Sequence, residues 1–339
     1  MRKTVLPLAL SLLLGLSSCA VQAPVNYPYA PAESDRLVVY TSHKEEVYGP
    51  IVKEFQERTG IWTEVVPGGT NELLERIQSE SDAPVCDVMF GGGVESLSAY
   101  PDCFQPYTCA DADLLRPGLV DPDGLWTPFS TLPIVLVYNT KLVSPGQLTS
   151  WRDLLDPRWK GKIALADPTV SGSSYTAVLT LLSSQPGDDW AVLEGLVDNL
   201  DGTVLAGSGD VVEQVAAGSL FVGVTLEETA LKRLAQGADI ALVYPTDGTS
   251  DLPDGSALIA GAPHPDNAKA FLEFVQSRDV QELVVEQFSR RPVRTDVDDP
   301  ADLPPVGDFP VLDYDVAWAS GLKDAFTQRW QALLEEAAP

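Results

Sequence analysis

From Leu37 to Val243 short apolar runs alternate with longer stretches of helical period, and that alternation confines the chain to a narrow set of folds. Leu37-Val38-Val39-Tyr40 reads as a buried strand. Glu46 to Arg58 carries Val47, Tyr48, Ile51, Val52 and Phe55 on one helical stripe that stops at Gly60. Ile61 to Val66 alternates as a strand. Gly68-Gly69-Thr70 then opens a helix with Leu73, Leu74 and Ile77, and Asp87 to Phe90 is a strand running into Gly91-Gly92-Gly93. A βαβαβ order predicts a mostly parallel sheet with helices on its faces, because parallel neighbours need a long crossover.

The theme recurs further on. Ile134 to Tyr138 is an apolar run that connects to a second lobe, and Lys162 to Ala166 is a strand. A helix with Val178, Leu179, Leu181 and Leu182 follows, then a helix over Trp190 to Leu200. Leu220 to Thr225 and Asp239 to Val243 read as strands around a helix from Leu226 to Ala235. Ala257 to Ala260 begins a return segment, Asn267 to Gln276 is an amphipathic helix, and Phe326 to Leu334 supplies a terminal one. Two such units suit a chain of 339 residues.

Composition decides which classes remain. Hydrophobic residues at 45% are enough to build a buried core, which excludes a disordered chain. The 22 Lys and Arg against 49 Asp and Glu give a net charge of −27, which repels phosphate backbones, so nucleic acid is excluded as a partner. At the N-terminus, Arg2 and Lys3 precede an apolar stretch from Val5 to Leu16, too short to span a bilayer. Leu16-Ser17-Ser18-Cys19 then resembles the lipobox of bacterial lipoproteins. That resemblance implies a signal peptide over 1–18, lipidation of Cys19, and a soluble protein tethered to the membrane of the cell envelope by an Ala- and Pro-rich stretch over 19–35. In an oxidising compartment Cys103 and Cys109 are close enough along the chain for a local disulfide, whereas Cys86 reads as a buried thiol. Two histidines and scattered cysteines give no zinc spacing.

Small and polar residues gather at the carboxyl ends of the expected strands, where open α/β sheets bind ligands. They are Ser42 and His43, Gly92 and Gly93, Ser171 to Ser174, and the Glu227-Glu228 pair. Ser171-Gly172-Ser173-Ser174 is the sharpest of these. Glycine permits close approach, hydroxyls donate, and the free N–H groups at the following helix start attract an anion. Plain helix capping by one of the hydroxyls would leave the same trace. Gly69-Thr70 repeats the arrangement more weakly. Glu227 and Glu228 are either cleft residues or a solvated helix start, His43 is either a ligand or a capping residue, and His264 reads as structural.

Val39-Tyr40-Thr41-Ser42, Phe55-Gln56-Glu57-Arg58-Thr59-Gly60, Asp87-Val88-Met89-Phe90, Tyr138-Asn139-Thr140-Lys141, the stretch from Trp151 to Ile163 and the Ser171-Gly172 turn together resemble one family. It is the solute-binding proteins of ABC importers of the ferric-iron-binding type, within the type 2 periplasmic-binding fold. The resemblance implies two α/β lobes, each a mixed, mostly parallel sheet flanked by helices, joined by β-strand hinges that close on a solute. The boundaries expected are 36–133 with 257–291 for lobe 1 and 134–256 with 292–339 for lobe 2. The family's iron sites use a histidine after the first strand, a glutamate after the third and a tyrosine pair after the strand at Leu220. Those positions fall here on Lys44, next to His43, on Gly92, and on Glu228 and Thr229.

The anion half of the site is what matches. The expected ligand is therefore a small organic anion, a phosphonate or phosphate ester, held by Ser42, His43, Gly69, Thr70, Gly92, Gly93, Ser171, Gly172, Ser173, Glu227 and Glu228. Permease and ATPase subunits are the expected partners of a monomer, with no metal, cofactor or catalytic residue. Ferric iron or an iron complex is the alternative ligand, and a tethered sensor without transport the alternative role. Ser173 with His43 lacks the Gly-x-Ser-x-Gly elbow of a hydrolase.

Overall fold

The computed structural model describes residues 31–337. The signal segment 1–18, Cys19 and most of the tether lie outside the described residues. The tether's last residues are pinned: Glu33–Asp35 form a 3-10 turn, and Asn267 Nδ2 donates to the Ser34 carbonyl at 2.8 Å.

Two sheets carry the molecule. In lobe 1, β1 (Arg36–Thr41), α1 (Glu45–Thr59), β2 (Trp62–Pro67), α2 (Thr70–Ser79), β3 (Val88–Gly93) and α3 (Val94–Ser98) follow the expected alternation. The chain then runs through β4 (Thr127–Thr131) and crosses to lobe 2 at β5 (Ile134–Asn139). Lobe 2 adds β6 (Ile163–Ala164), α4 (Gly172–Ser184), α5 (Asp189–Leu200), α6 (Ser208–Ala216), β7 (Val222–Leu226), α7 (Glu227–Ala235) and β8 (Ile240–Val243). β9 (Pro253–Leu258), α8 (Pro265–Gln276), α9 (Arg278–Phe288) and β10 (Arg291–Pro292) return to lobe 1, before α10 (Val316–Gly321) and α11 (Lys323–Ala337).

The six-stranded sheet has the order β10-β4-β9-β3-β1-β2 and the four-stranded sheet β6-β7-β5-β8. Most strands in each sheet point the same way, as expected. The pairings are nonetheless more often antiparallel, because two of the three reversed strands, β9 and β5, sit inside the sheets, and only β10 lies at an edge.

Strand alternation assigns the faces. Leu37, Val39, Val88 and Phe90 meet Ile51, Phe55, Phe271 and Val275 on one face of lobe 1. Tyr40, Met89 and Ala257 meet Leu73, Leu74, Ile77 and Leu97 on the other. Cys109 packs on the first face and Cys103 on the second, so the disulfide open to the sequence does not form, and all three described cysteines are free and buried.

The lobe boundaries differ from those expected. β9 enters the lobe 1 sheet at Pro253, ahead of Ala257, because Asp254 and Ser256 pair with β3 and β4. Residues 292–299, expected in lobe 2, also stay with lobe 1: Arg294 bridges Leu115, and Arg116 Nη1 meets Asp299 at 2.8 Å. The first two crossings run side by side, with Leu132 N–H donating to the Leu252 carbonyl at 3.1 Å and Ile134 N–H to that of Ser250 at 3.3 Å. These paired strands form the hinge.

Candidate functional site

Four helices of nine or more residues begin at the same cavity. They are α2 from lobe 1 and α4, α6 and α7 from lobe 2. Each helix start leaves N–H groups without intrahelical acceptors and carries the positive end of the helix dipole. The cavity between the lobes measures about 400 Å³, the small end of the range for ligand pockets.

Ser42, His43, Gly69, Thr70, Gly92, Gly93, Ser171, Gly172, Ser173 and Glu228 all line this cavity. Their convergence follows from topology, since the turns after β1, β3, β6 and β7 lie at the sheet ends that face the cleft. Ser171 caps α4, its Oγ accepting from Ser174 N–H at 3.3 Å, and Ser173 Oγ lies 3.2 Å from it. The local capping role is therefore present at Ser171, while the Ser173 hydroxyl and the N–H groups of Gly172 and Ser173 remain for a ligand. Gly172 and Gly69 provide close approach between lobes. A Cβ on Gly172 would sit 2.7 Å from Thr70 Oγ1, and one on Gly69 would sit 2.7 Å from the Val170 carbonyl. Asn71 seals the same edge, its N–H donating to Val170 O at 3.3 Å and its Nδ2 to Pro168 O at 2.9 Å. The lobes thus touch along this edge of the cavity.

Glu227 is a correction. It does not reach the cleft but lies 2% exposed in the hinge, held by Arg291 through Nε and Nη2, each at 2.9 Å, and by the Tyr244 hydroxyl. Consecutive residues at a helix start diverge by about 100°, so Glu227 turns to the hinge while Glu228 turns to the cavity.

Two buried charged cleft residues escaped the sequence reading. Arg290 and Asp254 are each 4% exposed and line the cavity. Asp254 accepts from Ser130 N–H at 2.8 Å and Ser130 Oγ at 2.7 Å, and burial raises its carboxyl above the ordinary range. Arg290 Nη1 lies 3.2 Å from Asp254 Oδ2 and 3.4 Å from His43 Nδ1, and its Nη2 lies 3.3 Å from Glu228 Oε1. Burial, then the charge of Arg290, hold the His43 imidazole well below its usual pKa, so it is neutral. Its ring packs edge-on against Phe90 at 4.5 Å. The one sequence signal for Arg290 was the Arg290-Arg291 pair in so acidic a chain. Asp254 had none, because only the β9 return brings it to Ser130. Lys44 and α6, with Ser208 at its start, also line the cavity. Among the described residues no group of three or more His, Cys, Asp and Glu side chains is arranged to hold a metal, and no helix is long and apolar enough to cross a membrane.

Behind the cavity a second polar set joins the lobes. Thr176 of α4 donates to the fully buried Glu95 of α3. Lys323 of α11 reaches Asn71 Oδ1 and, at 3.3 Å, Ser96 Oγ, and it lies 4.2 Å above the Tyr175 ring. Burial pulls the Lys323 ammonium down to about 8, against the opposing charges of Glu95, Glu75 and Asp324. Below about pH 8 it is charged in folded and unfolded chains alike, and its burial cost is present in full. From about 8 to 10.5 the folded chain releases the proton first, so stability rises by up to about 1.4 kcal/mol per pH unit. Urea unfolding of Lys323→Met against wild type, followed from neutral pH into that window, will show a rise in the wild type that the variant lacks. Parallel curves would remove Lys323 from the account.

A family profile described as "Bacterial extracellular solute-binding protein" matches residues 93–318. The chain is 24% identical over 292 residues to "Iron uptake protein A1" of Synechocystis sp., covering 82% of this chain and 81% of that protein. It is 26% identical over 250 residues to "Putative 2-aminoethylphosphonate-binding periplasmic protein" of Salmonella paratyphi A, covering 72% and 73% respectively. In structure it resembles the periplasmic binding protein AfuA of Actinobacillus pleuropneumoniae with fructose-6-phosphate bound. That likeness has a TM-score of 0.81 at 24% identity, over 89% of this chain and 98% of the other.

Proposed function

Because the chain belongs to the bacterial extracellular solute-binding protein family, we propose that it captures a small organic anion, a phosphonate or phosphate ester, between its lobes and delivers it to the permease and ATPase subunits of an ABC importer. One observation supports this reading above the others: helix starts from both lobes, with the hydroxyls of Thr70 and Ser173, converge on one cavity between the lobes. Anions bind such ends through N–H groups and dipoles without needing a positively charged surface. At the far side the Arg290 guanidinium, held between Asp254 and Glu228, adds a positive charge that suits the anionic group. A relative named for 2-aminoethylphosphonate and a structural neighbour holding a sugar phosphate agree with that class.

A thermal-shift screen of phosphonates, phosphate esters and ferric citrate tests the proposal, since a ligand selective for the folded state adds about 2.7 kcal/mol at a hundred times its Kd. We expect an organic anion to raise Tm. A screen in which only iron does so would overturn the reading. The lipid anchor rests on the Leu16 to Cys19 motif alone. Cys19→Ala should move the protein from the membrane to the soluble fraction, and unchanged fractionation would sink the anchor.

A further inference from the structure

The cleft gathers a neutral imidazole and two carboxylates, His43, Asp254 and Glu228, which are the donor types that bind borderline and hard metal ions. They are not arranged to hold a metal as they stand, and the space between them is filled. The Arg290 guanidinium stands within 3.2–3.4 Å of all three and of Ser130 Oγ, and bridges Asp254 in lobe 1 to Glu228 in lobe 2. Its neighbour Arg291 shows the contrast. That guanidinium grips a single carboxylate through two bonds of 2.9 Å and donates once more to the Pro304 carbonyl. Arg290 shares longer contacts among four acceptors.

Resting on the cleft as the ligand site, we propose that Arg290 is the specificity-determining residue there, a resident cation that occupies the place a bare metal ion would need and commits the site to ligands that carry their own anionic group. Arginine suits this role because it does not give up its proton in a protein. A metal cannot convert it into a ligand, as it can a lysine, and must instead meet its charge at close range. His43 Nδ1, facing the guanidinium, is turned away from service as a metal ligand for the same reason.

Cobalt(II) alone is the probe, because its visible d–d bands report inner-sphere coordination. It is titrated into the full chain of wild type, Arg290→Ala, Arg290→Gln and the double variant His43→Ala/Arg290→Ala. Wild type should stay spectrally silent. Both single variants should gain a visible band at one cobalt per chain, and removing His43 should abolish it. Where the alanine variant unfolds, the glutamine variant carries the same readout. Recovery of the fold on adding cobalt counts as binding, and its failure counts as none. A wild type that takes cobalt through His43, or single variants that take none, would overturn the proposal. Because the probe is a metal, a wild type that binds no phosphonate leaves this result untouched.

Discussion

Arg291→Ala will lower the stability of the protein by about 3–5 kcal/mol, the cost of stripping one partner from a buried ion pair. Arg291 is fully buried, grips Glu227 through two bonds of 2.9 Å, donates to the Pro304 carbonyl at 2.8 Å and stacks 5.6 Å over Phe309. Glu227 in turn uses its N–H on the Pro133 carbonyl at 2.9 Å, in the crossing between lobes. The pair therefore joins β10 of lobe 1 to α7 of lobe 2 at the pivot, not in the cleft. The double variant Arg291→Met/Glu227→Met should recover most of the loss, because apolar replacements leave no uncompensated charge. Urea unfolding measures both. A loss under about 1 kcal/mol in Arg291→Ala would place the pair among weak surface contacts and contradict its role at the pivot.

Gly69→Ala should weaken ligand binding roughly 5- to 150-fold, the equivalent of about 1–3 kcal/mol of overpacking. The backbone there, with φ −69° and ψ 145°, is open to any residue, so glycine answers to space and not to strain. The added carbon would stand 2.7 Å from the Val170 carbonyl of the opposite lobe, and a carbonyl in a helix-leading turn has little room to retreat. An open conformer avoids the clash entirely, so stability should hardly change while closure becomes costly. The closed state is then populated only at the expense of ligand affinity. Gly172→Ala makes the milder counterpart, since its obstacle is the Thr70 side chain, and Thr70→Gly should relieve it. Small-angle scattering of the ligand-saturated variants reads the outcome. Gly69→Ala that compacts as wild type does, at unchanged affinity, would contradict the closed contact.

The early part of the fold was legible because its signals are local. Leu37 to Tyr40 and Asp87 to Phe90 are apolar runs, and Val47, Ile51 and Phe55 keep helical spacing, so β1, α1 and β3 follow from pattern alone. α6 was not legible: Gly207, Ser208 and Gly209 precede a β-branched Val211 and Val212, which read as loop or strand, and packing against Val135 and Val137 overrides that preference. The small and hydroxylated residues of the cleft were visible for the same local reason, as turns after strands. Arg290 and Asp254 were not, since neither lies in such a turn. Each enters the site only when the return through β9 to β10 lays a late segment beside Ser130. Glu227 and Glu228 could not be told apart, because the distinction is a rotation of one residue at the start of α7.

Titration calorimetry of the full chain with an aminoalkylphosphonate, a sugar phosphate and ferric citrate, repeated on Ser173→Ala, tests the central claim most directly. One organic anion should bind per chain, with a loss of roughly 10- to 150-fold in affinity when the Ser173 hydroxyl is removed, the worth of one hydrogen bond to a charged group at about 1.5–3 kcal/mol. Stoichiometric iron with a phenolate-like visible charge-transfer band, or a tight organic anion indifferent to Ser173→Ala, would contradict it.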